Sequence, residues 1–291
     1  MTHANTPSLP DMQAYTLRLG QRDIHFAEAG SGAPLLMLHG GGPGASGAPN
    51  YERNIGALAR QFRVIVPDLP GYGRSSKGLS RDDPFGDCAA SMLALVDHLK
   101  LARVGVVGNS LGGACGLRMA LEQPARVGAL VLMGPGGVDT TRSLPTRGLS
   151  HLLDYYAGEG PSREKLQTFI REYLVYDGSR IPDSLIERRY QASIDPEVVA
   201  QPPLTRPRGL PKFGLIDFTR DARLGSLQTP TLVLWGTEDK VNRATGARSL
   251  QRRLPNCDVY LFSRTGHWVQ WERADEFNAV VAAFARPHLE A

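Results

Sequence analysis

Five short, largely apolar runs recur along this chain of 291 residues, at 34–38, 62–67, 104–107, 127–133 and 231–235. A half-exposed strand alternates apolar with polar residues, whereas a run that is apolar throughout has to be covered on both faces. Segments with the helical apolar period separate or follow these runs, at 52–60, 84–99, 111–123, 243–254 and 275–285. Strand, helix and strand repeated in this way predict an α/β fold, with a mostly parallel central sheet flanked by helices. Two alternating segments, 15–19 and 23–28, flank Gly20-Gln21-Arg22 and predict a hairpin ahead of the sheet. Residues 1–14 are polar, contain two prolines, and are expected to fray.

The rhythm breaks between residues 136 and 218, where no buried-strand run occurs. Amphipathic patterns at 162–176 and 184–192 precede the proline-rich passage QPPLTRPRGLP. This predicts a helical lid at 136–218, inserted into a core made of 1–135 and 219–291. The chain then re-enters the sheet at Pro230.

Charge narrows the partners. The net charge is +4, from 33 Lys and Arg against 29 Asp and Glu, and the basic residues are scattered. That argues against nucleic acid and is compatible with an anionic small molecule. No run approaches the roughly 18 apolar residues of a membrane span. The N-terminus also lacks an apolar signal core, so no membrane partner is expected. Cys88, Cys115 and Cys257 lie far apart and form no C-x-x-C pair, as in a cytoplasmic protein with reduced thiols. No His/Cys cluster has metal-ligand spacing, and neither a metal nor an organic cofactor is expected.

After the run 104–107 comes Gly108-Asn109-Ser110-Leu111-Gly112-Gly113, a G-x-S-x-G sequence between a predicted strand and a predicted helix. The small flanking residues let the serine take a strained turn that projects its Oγ from the carboxyl edge of the sheet. A serine hydroxyl is a weak nucleophile until a base takes its proton, and that base needs an orienting acid. In this arrangement the acid and then the histidine follow the serine in chain order. Of the seven histidines only His267 and His288 follow a suitable acid, and His288 lies in the C-terminal tail. His267 sits in RTGHW, after the apolar run 259–262. Asp239 ends GTED just past the run 231–235, with Glu238 as the alternative acid. Both positions fall at carboxyl ends of strands, beside Ser110, where open α/β sheets place their sites.

Acyl chemistry also needs backbone N–H donors for a developing oxyanion. One is the amide of Leu111; the other is expected from HGGGPGASG, the loop after the third strand. Within it Gly42-x-Gly44-x-x-Gly47 matches a dinucleotide-binding turn, with Asp68 near the place of a ribose-binding acid. That reading needs a helix opening directly at the glycines. Pro43 interrupts, and Ala48-Pro49-Asn50 stand before any helical pattern, so the loop is read as a close backbone approach to an anion.

HGGGPG, PNYERN, DLPGYGRSSK, GNSLGG and GHWVQWE together resemble the meta-cleavage product hydrolases. These are α/β-hydrolases that cut a carbon–carbon bond in 2-hydroxy-6-oxo-2,4-dienoates formed by ring-opening of catechols. The resemblance covers the core almost end to end and is weaker in the lid. It implies an α/β-hydrolase fold, a serine triad of Ser110, Asp239 and His267, and an oxyanion hole from the amides of Gly41 and Leu111. It further implies that Gly42, Asn50, Asn109, Arg189 and Trp268 bind the substrate. In the family a lid arginine followed by an aromatic residue grips the carboxylate; Arg189-Tyr190 fits, and Arg188 leaves the register open by one residue. Asn50 as a helix cap, Arg189 as a solvated charge and Trp268 as core packing are the alternatives. EDKVNR and GHWVQWE look most like the branch acting on ring-opened steroids (4,9-diseco acids), with phenyl- or alkyl-tailed dienoates next. A carboxylesterase on the same scaffold would share the triad without needing Arg189. Family members are often dimers or larger, so a homo-oligomer is expected.

Overall fold

Residues 11–207 and 212–290 are described by a computed structural model of the chain. The expected fraying therefore falls mainly on 1–10, and the end of the proline-rich passage on 208–211, outside the described residues. The hairpin forms as β1 (Gln13–Leu19) and β2 (Arg22–Ala29). Its first strand already starts at Gln13, where fraying was expected, because Gln13 pairs with Glu28 across the ladder.

The apolar runs become β3 (Ala33–Leu38), β4 (Phe62–Pro67), β5 (Val104–Asn109), β6 (Val127–Met133) and β7 (Thr231–Gly236), followed by β8 (Cys257–Phe262). They join the hairpin in an eight-stranded sheet of order β1-β2-β4-β3-β5-β6-β7-β8. Only the β1/β2 and β2/β4 pairings are antiparallel. The central strands β5, β6 and β7 are buried at every position, as continuous apolar runs demand.

Among the described residues, four α-helices of the core precede the insert. Between β3 and β4 come α1 (Gly47–Asn50) and α2 (Ile55–Leu58), then α3 (Pro84–His98) and α4 (Leu111–Glu122). Past β4, α3 is started by Asp83, which accepts the Gly86 N–H at 2.9 Å, with Pro84 in the first turn. The helix expected at 52–60 is thus a single turn. The chain is pinned there instead, by Tyr51 donating to the Leu38 carbonyl and Asn54 to Asn278. A short helix also opens at Gly47, earlier than the sequence pattern indicates. Pro49 is tolerated in it because a first-turn N–H has no helical acceptor anyway. Its opening residue, Gly47, donates to Asp68 Oδ1 at 2.7 Å, so this acid binds the glycine loop's own backbone.

Residues 134–230, between β6 and β7, contain no strand among the described residues. They carry α5 (Arg147–Leu153), α6 (Arg163–Thr168), a π-helical turn (Phe169–Leu174), α7 (Asp183–Ser193), α8 (Pro196–Ala200) and α9 (Phe213–Ile216). This insert has its own apolar cluster, including Leu166, Phe169, Ile170 and Ile186, which closes onto Trp268 and Trp271 of the core. Beyond β7 the chain returns through α10 (Thr245–Gln251), α11 (Val269–Glu272) and α12 (Ala274–Leu289).

The backbone turn after β5 governs what the neighbouring strands can carry. A methyl on Gly112 would stand 2.2 Å from the Leu38 carbonyl oxygen, and one on Gly108 2.3 Å from the Gly112 oxygen. Only glycine lets α4 begin this close to β3 and β5. Gly112→Ala should therefore lower unfolding stability by at least about 2 kcal/mol, read as a shift in urea midpoint at unchanged slope.

Candidate active site

Ser110 occupies the turn between β5 and α4 with φ 52° and ψ −109°. This left-handed backbone strains a non-glycine residue by about 1–3 kcal/mol. Neighbouring peptides hold it. The Ser110 N–H donates to the Met133 carbonyl at 2.9 Å, and its carbonyl accepts from Ala114 and Gly136 at 2.9 and 3.0 Å. The strain leaves the hydroxyl half-buried at the mouth of two cavities, both of which Ser110 lines.

Asp239 follows β7 and His267 follows β8. The ring Nδ1 of His267 lies 2.7 Å from Asp239 Oδ2, with the two side chains 3% and 0% exposed. A carboxylate can only accept, so Nδ1 carries the proton and Nε2 has the free lone pair of a base. Asp239 is held in turn by the Val241 and Asn242 N–H groups on Oδ1, at 2.8 and 2.9 Å, and by Trp235 Nε1 on Oδ2, at 2.9 Å. These donors compensate the burial of its charge. Glu238, the alternative acid, is exposed. His267 Nε2 is buried and has no hydrogen-bond partner among the described residues; it lines the same small cavity as Ser110, but the two are not bonded to each other. Such bonds commonly tighten only when substrate is bound.

That small cavity also gathers Gly42, Asn50, Asn109, Arg189 and Trp268. Arg189 is only 7% exposed, and no carboxylate among the described residues pairs with it. Its Nε donates to the Pro43 carbonyl at 3.1 Å, and its guanidinium lies 5.2 Å from the Trp268 ring centre. Burial, and then the neighbouring Arg188, push its pKa down to about 10, so it stays charged near neutrality. Arg188 lies on the surface, paired with Glu52 at 3.0 Å. Trp268 Nε1 donates to Asn50 Oδ1 at 3.2 Å, and the buried Asn50 Nδ2 has no partner among the described residues. Asn109 donates to the His267 carbonyl at 3.5 Å. The glycine loop forms the floor: a methyl on Gly40 would stand 3.5 Å from Ser110 Cβ, and one on Gly41 3.2 Å from Leu111 Cβ. Gly41 is oriented by Tyr72, whose hydroxyl donates to its carbonyl at 3.0 Å.

On the other side of Ser110 opens a chamber of about 160 Å³. Phe85, Leu149, Leu152, Leu153, Leu204 and Ile216 make it mainly apolar. Ser110, Leu152 and Val241 line both spaces, so the serine stands where a small compartment, made polar on one side by Asn50, Asn109 and Arg189, meets a larger apolar one.

Several contributors have no local signature in the sequence: Tyr72, Trp235, His39 and Glu272 act through contacts with residues far along the chain. Glu272 accepts the Gly266 and Tyr176 N–H groups at 2.8 Å each, and burial pushes its pKa up to about 7. His39 accepts the Leu69 N–H on Nε2 at 2.9 Å, so its Nδ1 donates to the Gly40 carbonyl at 2.8 Å. It thereby ties the glycine loop to the turn after β4.

Sheet order, serine turn and strand-end acid and base define an α/β-hydrolase, and the family described as alpha/beta hydrolase fold matches residues 33–274. The chain is 37% identical over 267 residues to a 2-hydroxy-6-oxo-6-phenylhexa-2,4-dienoate hydrolase of Comamonas testosteroni, covering 90% of this chain and 91% of that one. It is 34% identical over 271 residues to a 2-hydroxy-6-oxononadienedioate/2-hydroxy-6-oxononatrienedioate hydrolase of Burkholderia vietnamiensis, covering 90% and 91%. Among solved structures, a 2-hydroxy-6-oxo-6-phenylhexa-2,4-dienoate hydrolase from a Rhodococcus strain superposes with a TM-score of 0.86 at 28% identity, over 95% of this chain and 99% of the other. The chain belongs to the meta-cleavage product hydrolases of the α/β-hydrolase superfamily. Among the described residues, no helix is long and apolar enough to cross a membrane.

His39 gives the site a pH signature in stability. Burial, the largest influence, lowers its pKa below the ordinary value of 6.5. As pH falls below about 6.5 the unfolded chain gains a proton that the folded one does not, so this contribution is complete above that pH and is lost below it. Glu272 acts in the opposite sense, because its folded pKa lies above 4.5. Both proteins keep that carboxyl when wild type is compared with His39→Gln, so the difference reads His39. Between pH 7.5 and 5.5, urea midpoints should fall further for wild type than for the variant.

Proposed function

We propose that this chain hydrolyses the carbon–carbon bond of a 2-hydroxy-6-oxo-2,4-dienoate, releasing a 2-hydroxypenta-2,4-dienoate-type product and a carboxylic acid. The observation that carries this reading is Arg189. A buried guanidinium with no carboxylate partner among the described residues, sharing a cavity with Ser110 and His267, suits an anionic substrate end and has no use in a simple esterase. The dienoate occupies the polar compartment, with its carboxylate on Arg189 and Asn50. The tail lies in the apolar chamber, which places the bond to be broken over Ser110.

Heterolysis of a carbon–carbon bond needs somewhere for an electron pair to go. Ketonisation supplies it: the 2-hydroxyl proton is transferred to C5, with His267 as the carrier. The resulting 2-keto-carboxylate can accept the pair released when C5 leaves C6. Ser110 Oγ then adds to the C6 carbonyl as its proton passes to His267 Nε2, and the oxyanion faces the Leu111 and Gly41 amides. Collapse breaks the C5–C6 bond, the dienolate takes the proton, and water releases the acid from Ser110 by the same route. Asp239 holds the imidazole in the required tautomer throughout. Arg189 gains most as negative charge moves toward the oxygen atoms it binds, so part of its contribution belongs to the transition state. The insert, 136–218, serves as a lid that brings Arg189 over the site.

For the tail, the chamber's apolar lining suits a bulky hydrocarbon. The motifs EDKVNR and GHWVQWE favour a steroid-derived tail, with a phenyl tail as the alternative. A panel of coloured dienols with steroid-derived, phenyl and alkyl tails separates these. Wild type should bleach at least one of them; bleaching of none, with turnover of simple esters, would favour the carboxylesterase reading.

Ser110→Ala should lose at least about a thousandfold in kcat on the best dienol while still binding it. Arg189→Ala should lose about 10- to 100-fold in kcat/KM, corresponding to a charged hydrogen bond of roughly 1.5–3 kcal/mol. Arg188→Ala, at the exposed pair with Glu52, should stay within about threefold of wild type.

A further inference from the structure

The wall of the polar compartment and the turn bearing His267 are joined by one backbone hydrogen bond and one shared carboxylate. Phe169 and Leu174, at the two ends of the π-helical turn, line the compartment. Where that turn ends, the Leu174 carbonyl accepts the His267 N–H at 2.8 Å. Two residues on, the Tyr176 N–H donates to Glu272 Oε2, while Glu272 Oε1 accepts the N–H of Gly266, the residue before the histidine. The two chains meet so closely that a methyl on Gly266 would stand 2.7 Å from the Val175 carbonyl carbon. Glu272 is itself only 8% exposed, at the end of α11, a single helical turn that begins just after Trp268.

We infer that Glu272 is a positioning residue, which fixes His267 Nε2 relative to Ser110, while the direct Leu174–His267 bond keeps the π-helical wall in place. The chemistry of the clamp is specific. Both carboxylate oxygens accept backbone N–H groups, and no other single side chain could take both at this span. A glutamine offers one acceptor and sets its NH₂ against the remaining N–H. One of the two N–H groups would then lose its acceptor, and the histidine turn would lose one of its fixed references. Because the insert holds one half of the clamp, the place of the base depends on how the insert is docked. This inference rests on the proposed role of His267 as base, and requires nothing about the dienoate.

The test uses the rate at which a fluorophosphonate labels Ser110 in the intact protein, followed by mass spectrometry. That reaction needs the serine and its base but not Arg189, so it reads the clamp even if no dienol is turned over. Glu272→Gln should slow labelling by at least about tenfold at a temperature where the variant is fully folded. Dienol affinity provides the readout that a general structural defect would disturb. Measured by visible absorbance, the Kd of Ser110→Ala with and without Glu272→Gln should agree within about threefold. Labelling at the wild-type rate would overturn the inference, as would a loss of dienol affinity equal to the loss of labelling. Should the Gln variant not fold, Glu272→Asp keeps both acceptors but withdraws them by one methylene. It should label at least about threefold more slowly than wild type, and an unchanged rate in the folded variant would refute the assignment.

Discussion

The serine turn is the constraint to which the rest of the molecule conforms. Ser110 cannot hold a left-handed backbone by itself, and its three peptide contacts come from β6, from α4 and from the start of the insert. Those contacts in turn require that α4 start hard against β3 and β5. Gly108 and Gly112 make this possible by omitting the methyl groups that would strike neighbouring carbonyls. A strained residue persists only where its surroundings over-determine it. Here the same surroundings aim the hydroxyl at the junction of two cavities and turn the Leu111 amide to the start of α4.

A second constraint meets the first at the glycine loop. Arg189 must be buried to reach the polar compartment, and its main chain crosses the loop so tightly that a methyl on Gly44 would stand 1.9 Å from the Arg189 carbonyl oxygen. Pro43 receives the guanidinium Nε, Gly42 leaves room for its other end, and Gly41 and Gly40 continue beneath Leu111 and Ser110. One short loop therefore serves the insert on one side and the serine on the other. His39 and Asp68 hold it to the turn after β4, which explains an acid placed where a ribose ligand would be expected.

The sheet was legible because its strands are apolar runs and burial on both faces leaves little choice. The Asp239–His267 contact was legible because chain order and strand ends restrict it, and Asp239 rather than Glu238 reaches His267. The choice between Arg188 and Arg189 also had a signal that spacing alone could have given. Leu185, Arg189 and Ser193 recur every fourth residue and are all buried, which puts Arg189 on the inner stripe of α7 and Arg188 off it. The short helix at Gly47 and the π-helical turn had no such signal. Each is set by contacts from distant segments, Asp68 in the first case and the His267 turn in the second. Tyr72, Trp235 and Glu272 were hidden for the same reason: nothing in the local sequence shows the distant partner that each will meet.

These two constraints also account for the division of polarity around the serine. In the proposed reaction charge builds on a carbonyl oxygen above the Leu111 amide and then departs along the dienoate toward Arg189. An arginine paired with a protein carboxylate would have its charge already satisfied and would attract that departing pair weakly. Leaving it unpaired makes the empty site harder to form, because burial already lowers its pKa to about 10. The pairing with Pro43 and the face of Trp268 supply partial compensation without neutralising the charge. The remaining deficit is what an incoming carboxylate can satisfy, and an apolar tail in the opposite chamber adds binding energy without competing for the guanidinium. In the proposed reaction the separation of the two ends, with Ser110 at their boundary, would select both the orientation of the substrate and the bond that faces the hydroxyl.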